Sequence, residues 1–303
     1  MPLLGAHMSI AGGLHMAFER LTEVRGEALQ IFTKNERQWQ SPAITPQDAE
    51  LFAIQWERCG AVPVAAHDSY LINLAAIDPV ILAKSVAAFA DELRRAELLK
   101  IPYLITHPGS HLGAGVEEGL RRFAENMDRA IEVSKTSQVI ILVENTAGQG
   151  TNLGSNFEEI ALILDWTRNR ERVSVCFDTC HAFAAGYDLR DAKAYEETFN
   201  KFDQIVGLTR LKYFHLNDSK KGLASRVDRH EHIGKGSIGL EGFRLLLNDP
   251  RFGEHPMVLE TPKGKDLEND KENLRTLRSL LGALMGPRQA KDKRHGRKMD
   301  PKS

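Results

Sequence analysis

Short apolar, β-branched runs alternate along the chain with longer amphipathic stretches, a rhythm that predicts parallel strands joined by helices. Eight runs stand out: Leu3 to Met8, Ala28 to Thr33, Val62 to His67, Tyr103 to His107, Val139 to Glu144, Val173 to Asp178, Leu211 to His215 and Met257 to Glu260. Turn residues follow them, as in Gly12-Gly13, His107-Pro108-Gly109 and Asn145 through Gly150. Between the runs the apolar period changes to that of a helix. Leu82, Val86, Phe89, Leu93 and Ala96 form one stripe behind an Asp78 N-cap and Pro79, and Leu120, Phe123, Met127 and Ile131 form another. Asn156 with Glu159 three residues later resembles a capping box. Eight strands alternating with helices close most economically on themselves. The expected architecture is an α/β (β/α)₈ TIM barrel, a single domain over residues 1–286.

Length agrees, because 303 residues accommodate one such barrel of about 250 residues. From Pro287 the character changes: Arg288, Lys291, Lys293, Arg294, Arg297, Lys298 and Lys302 face only Asp292 and Asp300. Residues 287–303 therefore read as a basic, disordered tail. No run of about 18 apolar residues is present to cross a bilayer. No basic leader or cleavage pattern precedes the first strand, so the expected setting is intracellular, in the cytoplasm. Cys59, Cys176 and Cys180 are too few for a disulfide framework and form no CxxC pair, so they read as buried thiols. A net charge of −1 gives no global field for nucleic acid, and any DNA binding must be local.

Chemistry enters where the strands end. His67, His107, Glu144, Asp178, His215 and Glu260 terminate the third to eighth runs, at intervals of 40, 37, 34, 37 and 45 residues. Each interval suits one strand, one helix and two loops. In a barrel those ends converge on a single mouth, where the catalytic residues of the fold gather. One histidine at a strand end is usually structural, but three imidazoles and three carboxylates together are best explained by divalent cations. Three further candidates lie in loops: His181, three residues beyond Asp178, and the pair Asp228 and His230, which extended chain places on one side. Nine ligands exceed one four-coordinate ion, and bridging carboxylates hold ions about 3.5 to 4 Å apart, which points to a three-ion cluster.

At this point the sequence resembles a known family. Phe32-Thr33-Lys34-Asn35, His67-Asp68-Ser69-Tyr70, Glu144-Asn145-Thr146-Ala147-Gly148-Gln149-Gly150, Asp178-Thr179-Cys180-His181 and Asp228-Arg229-His230 look like signatures of the endonuclease IV family, and the match runs to about residue 285. The resemblance implies a zinc-dependent DNA-repair endonuclease that hydrolyses the phosphodiester 5′ to an abasic site in double-stranded DNA, leaving a 3′-hydroxyl and a 5′-deoxyribose phosphate, with 3′-phosphodiesterase and 3′-phosphatase side activities. It also implies a monomer, associated with the nucleoid if bacterial.

Carried over by position, His67, His107 and Glu144 would hold one zinc. Glu144, Asp178, His215 and Glu260 would hold a second, and His181, Asp228 and His230 a third, with manganese an alternative at one site. Glu144 would bridge two ions, and Glu260 would orient the attacking water as well as bind metal. Arg37, Tyr70 and Leu71 would enter the duplex at the lesion, the aromatic and apolar groups replacing lost stacking. Lys34, Asn35 and Arg37 are candidates for phosphate contacts.

Two features lead elsewhere. Gly234-x-Gly236-x-x-Gly239 matches a dinucleotide fingerprint in form, but it follows a polar loop instead of a buried first strand. His7 ends the first run and could pass for a tenth ligand, yet the family pattern gives it no metal, leaving an outer-shell or substrate role. The main rival reading is a metal-dependent sugar isomerase or epimerase, which needs neither a third ion nor a wedge such as Tyr70-Leu71. A non-catalytic DNA-binding scaffold would need no metal site at all.

Overall fold

Eight parallel strands close on themselves in the computed structural model, which describes residues 1–264 and 266–282. The first seven are β1 (Leu3–His7), β2 (Leu29–Phe32), β3 (Val64–His67), β4 (Tyr103–Thr106), β5 (Ile140–Glu144), β6 (Val173–Asp178) and β7 (Leu211–Leu216). A two-stranded antiparallel ribbon follows, β8 (Asp218–Ser219) with β9 (His230–Glu231), before the last barrel strand, β10 (Pro256–Leu259). Barrel neighbours follow chain order, and β10 closes on β1 with Leu3 opposite Pro256 and Ala6 opposite Leu259. Every run read from the sequence carries a barrel strand, with ends shifted by at most two residues. His107 and Glu260 lie one residue past the strands they follow. The basic segment 287–303 lies outside the described residues, and among those described no helix is long and apolar enough to cross a membrane.

The helices are α1 (Met16–Glu23), α2 (Pro46–Arg58), α3 (Pro79–Leu98), α4 (Val116–Ser134), α5 (Phe157–Trp166), α6 (Thr179–Ala185), α7 (Ala192–Ile205), α8 (Gly239–Leu247) and α9 (Glu268–Leu280). In α3 the Asp78 carboxylate accepts from the amides of Val80 and Ile81, and Val86, Phe89, Leu93 and Ala96 are buried. The start of α5 differs from a simple capping box. Asn156 caps the Glu159 amide, while the Glu159 carboxylate reaches past it to the amides of Gly154 and Ser155. That extra reach ties down the end of the long loop after β5.

Inside the barrel, Ala28, Ala65, Ile105, Leu142, Cys176, Tyr213 and Val258 make one buried layer, a strand each. The eighth place belongs to Gly5, and only glycine fits there: a Cβ would fall 1.6 Å from the Ala28 carbonyl oxygen. The layer is a packed floor, with the site above it.

Candidate metal centre

Side chains alternate across a strand, so the residue two beyond each floor position must point into the barrel one layer higher. Applied to all eight strands, this gives His7, Gln30, His67, His107, Glu144, Asp178, His215 and Glu260. The strand-end residues named from the sequence therefore form a ring because of a period of two. Gln30 completes that ring and was missed, hidden inside the apolar run Leu29-Gln30-Ile31-Phe32.

Glu144, wholly buried, lies at the centre. Its Oε2 is 3.3 Å from Nε2 of both His67 and His107, and its Oε1 is 3.0 Å from His181 Nδ1 and 3.1 Å from His215 Nδ1. Glu260 Oε2 lies 3.2 Å from His215 Nδ1, with Asp178 Oδ2 3.8 Å away on another side. Of four groups among the described residues whose ligand atoms gather within 4.8 Å, two are His67, His107 and Glu144, and Glu144, Asp178, His215 and Glu260. They share Glu144.

The third group is assembled differently. His181 sits not in a loop but in the first turn of α6, because Asp178 caps that helix by accepting the His181 amide at 2.8 Å. Asp228 bridges the two remaining rings, Oδ2 at 3.2 Å from His181 Nε2 and Oδ1 at 3.3 Å from His230 Nε2. The Cys180 thiol has ligand reach to Asp228 and His230, and burial pushes it up to about 12. The ribbon that positions His230, where Ser219 pairs with it, is fixed from below by Asp218. That buried carboxylate accepts from the amides of Gly234, Gly236, Ile238 and Gly239. The glycine fingerprint is thus an anion nest already filled by the chain's own carboxylate.

The ring nitrogens follow from their outer hydrogen bonds. His67 Nδ1 faces the Asp68 carbonyl at 2.9 Å, His181 Nδ1 the Asn145 carbonyl at 3.0 Å, and His230 Nδ1 the Glu260 carbonyl at 3.1 Å. A carbonyl only accepts, so each Nδ1 donates and Nε2 is left for the cluster. Asn145 and Asn217 hold the carboxylate strands: the Asp178 amide donates to Asn145 Oδ1, Asn217 Nδ2 donates to Asp178 Oδ2, and the Glu260 amide donates to Asn217 Oδ1.

Charge sharpens the picture. Burial alone would lower His67, but Glu144 and Asp68 raise it to about 10, and against burial Asp228 and Asp178 raise His230 to about 9. His181 and His215 rise likewise, and despite burial the rings hold Glu144 and Glu260 well below the usual carboxylate range. Burial pushes Asp68 the other way, up to about 7. The carboxylates therefore demand positive charge in the middle of the ring, which protons or metal ions can supply. His107 Nε2, Glu144 Oε1, His215 Nδ1 and His230 Nε2 are buried without a hydrogen-bond partner, and all four face the cluster. Hard and borderline donors, anionic or imidazole, left unsatisfied and converging, fit divalent ions such as zinc.

Beside the ring, Tyr70 is 62% exposed, its ring edge-on to Phe32 at 5.5 Å and stacked near His107 at 6.4 Å. Leu71 is half-buried next to it, and the Arg37 side chain is 86% exposed. Lys34 departs from the phosphate-contact expectation. Its side chain is 1% exposed and lies 3.0 Å from Asp91 and 3.4 Å from Glu92, so it ties the segment after β2 to α3. Tyr70, Asn73, His107, His181 and Asp228 line a cavity of about 330 Å³, and His7, Arg20, Asn35 and Lys263 border another of about 820 Å³.

The sequence profile described as xylose isomerase-like TIM barrel matches residues 18–280. A protein of Chloroflexus aurantiacus named "Probable endonuclease 4" is 54% identical over 281 residues, 93% of this chain and 99% of its own. The crystal structure of endonuclease IV from Thermus thermophilus superposes with a TM-score of 0.83 at 40% identity, covering 92% of this chain and 99% of that one. A D-tagatose 3-epimerase-like protein gives a TM-score of 0.70 at 18% identity, covering 92% and 98%, a likeness of fold alone.

Proposed function

The chain belongs to the endonuclease IV family, within the xylose isomerase-like TIM barrels, and on that premise we propose that it incises double-stranded DNA at abasic sites. The bond cut is the phosphodiester 5′ to the lesion, leaving a 3′-hydroxyl and a 5′-deoxyribose phosphate. Blocked 3′ ends present a phosphate ester in the same place and are accepted as side substrates. The enzyme acts as a monomer in the cytoplasm, at the nucleoid if the cell is bacterial. What carries the reading is the ring itself: two ligand groups sharing Glu144, with His181, Asp228 and His230 beside them and four orphaned donor and acceptor atoms turned inward.

His67, His107 and Glu144 would hold one zinc. Glu144, Asp178, His215 and Glu260 would hold a second, and His181, Asp228 and His230 a third, with manganese able to replace zinc at one site. When bound, such ions supply Lewis acidity, polarising a phosphoryl oxygen and making a water acidic enough to react at neutral pH. The side chains do the rest. Glu260 turns Oε2 to the cluster side, where it orients the attacking water. Tyr70 and Leu71 fill the gap left by the missing base, and Arg37 holds the opened strand. The third group favours this reading over a sugar isomerase, which has no use for it.

Metal analysis of the purified protein, paired with incision of a duplex holding one abasic site, tests the function. About three zinc ions per chain and a product with a 3′-hydroxyl are expected. Fewer than two tightly bound ions with no incision would overturn the reading. Tyr70→Ala should lose preference for abasic over intact duplex by about 1 to 3 kcal/mol, the value of stacking one base on an aromatic ring. Equilibrium binding to the two duplexes measures it, and unchanged discrimination would return Tyr70 to loop packing.

A further inference from the structure

Among the outer hydrogen bonds of His67, His181, His230 and His215, three go to backbone carbonyls and one to a side chain. His215 Nε2 lies 2.6 Å from Gln30 Oε1. The same amide's Nε2 lies 2.6 Å from Glu260 Oε1 and 2.9 Å from His7 Nδ1. The orientation of Gln30 is dictated by chemistry. An ionised carboxylate only accepts, so the amide NH₂ must face Glu260, and the amide oxygen must face His215. His215 then donates from Nε2, and its Nδ1 lone pair turns toward Glu144, Asp178 and Glu260. The second amide hydrogen goes to His7 Nδ1, which explains why His7 belongs to the ring without being a ligand.

We infer that Gln30 is a positioning residue: its one amide sets the ring state of His215 and fixes Glu260, preparing both for the ion they share. The inference rests on the metal reading above. Gln30 is wholly buried on a strand that supplies no ligand. A hydrocarbon would pack the barrel equally well. Outer partners of this kind usually change metal affinity by about 10- to 100-fold.

The test compares the full-length parent with Gln30→Met, which keeps length and burial and removes all three hydrogen bonds. Zinc affinity is read by chelator competition on the purified proteins, and thermal unfolding is read on their metal-free forms. Expected are a loss of about 10- to 100-fold in affinity for one ion out of the set and a metal-free melting temperature as high as the parent's. A residue with only a packing role, which methionine preserves, would leave the affinities at the parent's values, and this result overturns the inference. Cadmium-113 loading adds a direct readout: coupling to His215 Nδ1 is expected in the parent, and its loss or division between both ring nitrogens in Gln30→Met. Should Gln30→Met fail to fold, Gln30→Leu removes the same hydrogen bonds with a different apolar shape. It should lose affinity in the same range, and parent-like affinity in it refutes the proposal. A parent that binds no zinc sinks the metal reading and this inference together, whereas a zinc-loaded parent matched by both variants sinks the inference alone.

Discussion

Glu260→Gln should lose most incision of an abasic duplex, by roughly a hundredfold to a few thousandfold, while still binding it. The reason lies in which end of the new amide can face which way. Glu260 Oε1 accepts from Gln30 Nε2 at 2.6 Å, so a glutamine must present its oxygen there. Its NH₂ then points at the His215 Nδ1 side, 3.2 Å away in the parent, and places hydrogens where the cluster needs a lone pair. Negative charge disappears as well. At about 1.4 kcal/mol of transition-state stabilisation per tenfold in rate, the expected loss of incision corresponds to about 3 to 5 kcal/mol. Tyr70, Leu71 and Arg37 are untouched, so affinity should change far less. Single-turnover incision and duplex binding on the same preparation separate the two. Turnover near that of the parent would remove Glu260 from the chemistry.

Most of the site was legible because its residues obey a rule that sequence displays. His67, Glu144, Asp178 and His215 interrupt apolar strands at their ends, and a polar residue at an inward position is costly enough to be conspicuous. Gln30 obeys the same period of two from Ala28 and escaped notice because it is neutral and flanked by Leu29 and Ile31. Counting two residues on from each floor position would have found it. Other misses depend on contacts far apart in the chain. No local pattern shows that Lys34 meets Asp91 and Glu92 instead of solvent, nor that Asp218 fills the nest of Gly234 to Gly239. The helix containing His181 has only seven residues, too short to show a period, and is marked mainly by its Asp178 cap and by Gly186 at φ 113°. The fold was easier, since eight alternations of pattern each carry independent information.

Asp228→Ala combined with His230→Ala should lower zinc content by about one ion per chain while the barrel stays folded. The ribbon is paired through backbone, Ser219 with His230 and Asp218 with Glu231, and Asp218 still fills its nest, so neither side chain is needed for the local fold. Removing both takes away the carboxylate that joins the two rings and one ring itself, leaving His181 and Asp178 as neighbours. Two such groups, one of them engaged in capping α6, make a poor zinc site. The first two groups retain every ligand, although His230 also donates to the Glu260 carbonyl, and Asp228→Ala alone controls for that contact. Loss of a cation beside a transferring phosphate removes several kcal/mol of stabilisation, so incision should fall by at least about a hundredfold. Duplex affinity should suffer less, because the wedge and Arg37 remain. Metal analysis with circular dichroism decides it: an unaltered zinc complement in a folded double variant means the pair is not a metal site, and a two-ion sugar isomerase again becomes the reading to beat.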